Sequence, residues 1–232
     1  MNTALRDLVR QTHTERQDDW ATALSTVDSA LRTHCRVTLQ PGEPARAIVG
    51  EVRQRSEEDT LRALEQCAAQ GHPLPTTVEE VEHAVPDLTS ATVVCTSTRA
   101  QTLLVRCIAD EVAQAPGIRL VEVVDHSGLD LPLEGVDVQR GEEGGCWGVA
   151  CLLVVDVEGA RPALVELCVV TRLQQAWAEL TEQHLYGREG ELEAGPLRAA
   201  VVRSMAVMLH EVDRLADHLA EETEAAREGS AG

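Results

Sequence analysis

The chain contains no lysine and no phenylalanine, and only one tyrosine in 232 residues. Without lysine, all 20 cationic side chains are arginine, which excludes phosphate-binding loops that depend on a lysine point charge. Without phenylalanine, the core has to be built from Leu, Val and Ala, drawn from a 44% apolar composition. Positive charge is scarce: 39 acidic side chains give a formal charge of −19. That balance disfavours nucleic acid and anionic membrane as partners, since both are polyanions. It also means that a nucleoside triphosphate could be held only with Mg²⁺ or a local arginine cluster. No apolar run is long enough to span a bilayer, and the start, Met1-Asn2-Thr3-Ala4-Leu5-Arg6, does not read as a signal peptide. The seven cysteines are an odd number with no Cys-x-x-Cys pair. Cys95, Cys151 and Cys168 sit inside apolar runs, as small hydrophobes do. A reduced, cytoplasmic protein without a structural zinc site is expected.

What is present reads as one α/β (α+β) domain with helical ends. Residues 1–33 carry an amphipathic helical pattern, with Leu5, Leu8, Val9, Trp20, Leu24, Val27 and Leu31 on one face. Trp20 fits either a helix contact in the core or a stacking platform. His34 to Leu39 reads as a short strand, Gln40 to Pro44 as a turn, and Ala45 to Gln54 as a helix. Helices follow over Glu57–Ala69, stopped at Gly71, and over Thr77–His83, capped by Thr76 or Thr77. Pro86 to Cys95 enters a strand, Ala100–Gln114 is an amphipathic helix, and Ile118–Asp125 is a strand. Ser127–Gly145 is polar, acidic and rich in glycine, a loop of the kind that covers a site. Cys146–Val157 and Ala163–Thr171 form a hairpin about Glu158 to Pro162. A last helix runs from Pro196 to about Arg227. The expected architecture is a mixed central sheet of about five strands flanked by helices. It divides into a helical segment over 1–33, the main domain over 34–195 and a C-terminal helix with a fraying acidic tail over 196–232.

The most informative stretch is Val165 to Tyr186. Its first half is a buried-strand pattern interrupted by one carboxylate, Glu166; its second half has helical spacing, through Leu173, Ala176, Trp177, Leu180 and His184. A carboxylate within an apolar strand is paired, protonated or metal-bound if buried, because burying it free is costly. If the strand lies at a sheet edge, the same residue simply faces water.

This stretch resembles the signature strand and helix of the RelA/SpoT nucleotidyltransferase domain, the alarmone synthetases. There a strand of type Val-Glu-Val-Gln-Ile-Arg-Thr leads to a helix with Trp-Ala, ending near a Tyr; Val165, Glu166, Thr171, Trp177, Ala178 and Tyr186 match in register. The family's Gln is Cys168, its Arg is Val170, and the Lys after the Tyr is Gly187. The family's metal-binding Asp, in Asp-Ile-x-Gly-Ile-Arg, corresponds to Asp87, but Gly-Ile-Arg has become Ser90-Ala91-Thr92. The family's Gly-Tyr-Arg-Ser-Ile-His, whose Tyr stacks on the acceptor guanine, is here Gly145-Cys146-Trp147-Gly148-Val149-Ala150. Trp147 lies one place late, and a one-residue shift turns a strand side chain to the other face. An Arg-x-Lys on a strand, with a Lys ten residues on, is matched in its outer positions by Arg36 and Arg46.

The resemblance implies a nucleotidyltransferase-like fold and an Mg²⁺-dependent transfer of pyrophosphate from ATP to a nucleotide. Asp87 and Glu166 would bind the metal, Glu166 would also serve in catalysis, and Arg36 and Arg46 would hold ATP. Because the guanine side is rewritten, an altered acceptor or much reduced activity is expected. A catalytically inactive module for regulation or protein binding is the alternative, and a homo-oligomer or a protein partner stays open.

Overall fold

The computed structural model describes residues 3–37, 47–127, 138–141 and 148–181, positions 131, 133 and 136, and most positions from 200 to 222. The first element, α1 (Thr3–Val37), is one continuous helix of 35 residues. It buries Leu5, Val9, Trp20, Leu24, Val27 and Leu31 as one stripe. The helical spacing that buries Val27 and Leu31 carries on without a breaker, so residues 34–37 are helical and not the strand expected there.

The next segment reverses the other expectation. Ala47–Gln54 is a strand, β1, and not a helix. Ile48, Val49 and Val52 are β-branched and Gly50 interrupts them, a poor helix composition that β2 rewards with an antiparallel ladder. A bulge between Val49 and Val52 absorbs one register shift. Helices α2 (Glu57–Ala69) and α3 (Val78–Ala84) start on the hydroxyls of Ser56 and Thr77, which accept from the backbone N–H of Asp59 and Glu80. After a 3-10 turn over Pro86–Leu88 come β2 (Thr89–Cys95), α4 (Thr98–Asp110), β3 (Ile118–Asp125) and β4 (Val138–Arg140). β4 falls inside the stretch read as a loop and pairs in parallel with β3. β5 (Val149–Val155) and β6 (Ala163–Thr171) make the expected hairpin, and α5 (Arg172–Thr181) follows directly. The described positions from 200 to 219 are helical.

The sheet therefore has six strands in the order β1-β2-β6-β5-β3-β4, mixed in direction, one strand more than expected. β2 runs parallel to β6, while β1–β2, β6–β5 and β5–β3 are antiparallel. Along β2 and β6 burial alternates. Ala91, Val93 and Cys95 join Val165, Leu167 and Val169 in a core shared with α1 and α4. The alternate residues, Ser90, Thr92 and Val94 on β2 and Glu166 and Cys168 on β6, face the other side.

One ionic anchor crosses this core. Arg16 on α1 is 2% exposed. It donates from Nε to Glu82 Oε1 at 2.9 Å, and to the carbonyls of Arg161 and Pro162 at 3.2 and 2.7 Å. Trp20 Nε1 donates to the same Glu82 oxygen at 2.9 Å, with His13 edge-on to its ring at 5.2 Å. Trp20 is therefore a core residue that closes a polar network, and no stacking platform.

Candidate functional site

Glu166 lies in the middle of β6, with β2 on one side and β5 on the other. That placement removes the edge-strand reading. In register, Glu166 sits opposite Ser90 on β2 and Leu152 on β5, and Ser90 is in turn opposite Arg53 on β1. Paired residues share a face, so Arg53, Ser90, Glu166 and Leu152 form a row across the sheet away from the α1–α4 core. The next row is Thr92, Cys168, Ala150 and Val124.

Asp87 arrives from the 3-10 turn that feeds β2, three residues before Ser90. Arg55 arrives from the chain just beyond β1, where its backbone N–H donates to Leu88 O at 2.8 Å. The Arg55 guanidinium is hydrogen-bonded to the Asp87 carboxylate. Glu166 feels both groups. Its pKa is pushed up to about 7, first by burial, then by the Asp87 charge, with Arg55 working in the opposite direction. A carboxyl that titrates near neutrality on a central strand is the kind of group found at functional sites. Glu166, Asp87 and Arg55 thus form one electrostatic cluster at the sheet face.

The donor set suits magnesium. Mg²⁺ takes oxygen ligands and is commonly held by one or two carboxylates, with water and substrate phosphates completing its shell. Glu166 and Asp87 would supply two such carboxylates, and Asp87 is also bonded to Arg55. Among the described residues no group of three metal-ligating side chains occurs.

The arginines expected at the site fare differently. Arg36 is carried by the last turn of α1, where no strand exists, and its side chain lies outside the described residues, as does all of Arg46. A strand leading into a helix, with basic residues at its end, exists one element later. There β1 ends in Arg53-Gln54, Arg55 follows and reaches Asp87, and Ser56 caps α2. The signal was present in the sequence as Arg-x-Arg before a Ser cap, but the segment was read as helical. Ten residues after Arg53 stands Ala63, which carries no charge.

On the opposite side, Ala150 and Val170 are buried and Cys168 is half-buried. Cys146, Trp147, Tyr186 and Gly187 lie outside the described residues. Thr171, at the junction of β6 and α5, has a structural task. Its hydroxyl accepts from Gln174 N at 3.1 Å while Gln174 Oε1 accepts from Thr171 N at 2.9 Å. That reciprocal pair is a capping box that starts α5. The Thr171 hydroxyl also donates to Asp213 at 2.6 Å.

No family profile matches the chain, and no curated protein matches it in sequence. Solved structures do match in shape. A GTP pyrophosphokinase family protein from Streptococcus pneumoniae superposes with a TM-score of 0.63 at 16% identity, over 92% of this chain and 95% of the other. Small alarmone synthetase 1 from Bacillus subtilis, bound to its product pppGpp, gives 0.58 at 15% identity over the same shares. The same enzyme bound to AMPCPP gives 0.56 at 13%, over 89% and 95%. The mixed six-stranded sheet with its flanking helices is the fold of the small alarmone synthetases and GTP pyrophosphokinases.

Proposed function

We propose that the chain is a divergent RelA/SpoT-type protein that binds ATP with Mg²⁺ and transfers pyrophosphate to an acceptor other than GDP or GTP. The observation that carries this reading is the convergence of Glu166, Asp87 and Arg55 on one face of neighbouring strands. A chance likeness of α/β patterning would not bring the two carboxylates together. The metal would neutralise charge building on the phosphates. Arg53 and Arg55, in place of Arg36 and Arg46, are the cations positioned to clamp a triphosphate. In the transfer, an acceptor hydroxyl attacks the β-phosphorus, the bond from that phosphorus to the oxygen bridging to the α-phosphate breaks, and AMP leaves. The hydroxyl proton needs a base, and Glu166 is the carboxylate on this face that would take it.

The acceptor is inferred from what lines the rest of the face. Thr92, Cys168, Ala150 and Val170 are uncharged and small or apolar, where the resemblance calls for Arg, Gln, His and Arg. Each desolvated cationic contact is worth about 2–5 kcal/mol when its partner is lost. The alarmone reaction itself should therefore be crippled.

The same losses favour a second reading, a catalytically inactive module. The Arg55–Asp87 pair points the same way, because it already neutralises a carboxylate that the metal would need. Calorimetric titration of ATP and of a nonhydrolysable analogue, with and without Mg²⁺, separates the two. Magnesium-dependent binding that Glu166→Ala abolishes supports the transferase and calls for an acceptor screen by AMP release. No binding at millimolar nucleotide rejects it in favour of the inactive module.

A further inference from the structure

Charge is segregated along the open face of the sheet. The cations stand at one end, where β1 leaves and β2 enters: Arg53 in register with Ser90, and Arg55 bonded to Asp87. Glu166, opposite Ser90, belongs to this end. From there the face runs on through Thr92 and Val94 of β2 and Cys168 and Val170 of β6, about 13 Å at the usual strand rise. These four side chains carry no charge. Across β5, Glu122 adds a carboxylate to the row of Glu166.

The far end is bordered by acid. β2, β6 and β3 finish there and β5 begins. The connection from β3 to β5 carries Asp130, Glu134, Asp137, Glu142 and Glu143 against a single arginine, Arg140. Helices α4 and α5 start at the same end, and helix N-termini are natural places for a phosphate. Both are already answered from within the chain. Ser97 caps α4 by accepting from Ala100 N at 3.1 Å, and Asp217 accepts from the Arg99 N–H at 3.2 Å. Thr171 and Gln174 cap α5, and the Thr171 hydroxyl donates to buried Asp213 at 2.6 Å. Arg99 and Arg172 are exposed in these first turns, yet each adjoins an aspartate. Asp217 is bonded to Arg99 itself, and Asp213 to Thr171, the residue before Arg172.

The two ends therefore suit two different substrates. A polyphosphate donor fits the arginines, but a second phosphorylated molecule laid along the face would push its anionic group towards acid. We infer that the acceptor is an unphosphorylated, uncharged hydroxyl compound of about the size of a nucleoside, lying over Thr92 and Cys168. The hydroxyl of the one and the thiol of the other can meet its polar groups. This assignment deepens the transferase reading and rests on it. The acceptor's hydroxyl gives its proton to Glu166 and its oxygen bonds to the β-phosphorus, while AMP leaves with the bridging oxygen. The product is a pyrophosphate monoester of a neutral alcohol.

The test is calorimetric titration of the full chain saturated with Mg²⁺ and a nonhydrolysable ATP analogue. The titrants are the common nucleosides, each followed by its monophosphate and its diphosphate. For the base that binds best, affinity should fall in that order, by about tenfold or more from nucleoside to diphosphate. Raising the salt from about 0.05 to about 0.5 M should narrow the gap, because salt screens the repulsion. Glu142→Gln combined with Glu143→Gln should narrow it as well. A diphosphate that binds as tightly as its nucleoside overturns the inference. So does a gap that neither salt nor the double variant changes, since shape and not charge would then exclude the phosphates. Failure of every nucleoside to bind a chain that holds the analogue overturns it too. If the analogue itself does not bind, the transferase reading fails first and the acceptor assignment falls with it.

Discussion

The guanidinium of Arg55 is hydrogen-bonded to the carboxylate of Asp87, so the two charges that act on Glu166 are also bound to each other. The pair is about one-quarter to one-third exposed, at 25% and 33%. It sits where β1 leaves the sheet and β2 enters it, and either partner can be changed without touching the core.

Substitution there should move Glu166 in opposite directions. Asp87 raises its pKa and Arg55 lowers it. Asp87→Asn removes the repulsion and should bring the Glu166 pKa down from about 7. Arg55→Gln removes the attraction and should push it higher. Carbon-detected NMR titration of the Glu166 carboxyl reads both. Shifts of the same sign in the two variants would show that the cluster does not exist in solution.

The raised pKa also fixes a stability trend in metal-free buffer. Between the ordinary glutamate value of 4.5 and about 7, folded Glu166 holds a proton that the unfolded chain has released. The folded state binds more protons there, so stability falls as pH rises through this window, by on the order of 3 kcal/mol in total. Glu166→Gln cannot ionise. It should lose this part of the pH dependence and be more stable than wild type at pH 8, as read by denaturant melts across pH. If wild type and Glu166→Gln show parallel pH profiles, Glu166 ionises freely and is not buried as described.

Gly148 is held by contact and not by its backbone angle. A Cβ there would lie 2.2 Å from the Val169 carbonyl oxygen and 2.7 Å from Val170 Cγ1. Gly148→Ala therefore has to part β5 from β6 where β5 enters the sheet. The cost should be about 1–3 kcal/mol, typical of overpacking, and lowers Tm by roughly 2–4 °C per kcal/mol for a chain of this size. An unchanged Tm would mean that the β5 entry is looser than the structure has it.

The parts of the fold legible in the sequence were those where local signals agreed. β3 and β6 matched their expected spans, and α2 did too, because Ser56 caps it and Gly71, at φ 92°, lies just past its end. The errors came where tertiary pairing decided. Ala47–Gln54 has no alternation that marks a strand; it becomes one because β2 has a free edge beside it. The short β4 owes its existence likewise to β3. Taking 45–54 as helix also hid that Arg53 and Arg55 stand at a strand end. Asp87 was singled out by the resemblance alone, and Glu166 also as the one carboxylate in an apolar run. Their nearness was not legible, since it depends on β2 and β6 being neighbours although 67 residues separate their ends.

Arg16 offers the sharpest test of what holds the helices to the sheet. Its side chain and that of Glu82 are 2% and 11% exposed, and between them they tie α1 to α3 and to the β5–β6 hairpin. Arg16→Ala leaves the Glu82 carboxylate buried with only Trp20 and its near surroundings to solvate it. Breaking such a pair costs about 3–5 kcal/mol, which is roughly 10 °C in Tm. Adding Glu82→Gln removes the orphaned charge while keeping an oxygen for the Trp20 indole, so Arg16→Met/Glu82→Gln should recover a good part of the loss. Trp20 fluorescence follows the same unfolding from inside the network. The exposed pair of Arg10 and Glu57, 62% and 51% exposed at 3.9 Å, sets the baseline: Arg10→Ala should change stability by less than about 0.5 kcal/mol. If Arg16→Ala costs no more than Arg10→Ala, the buried network contributes nothing to stability, and α1 is held by its apolar stripe alone.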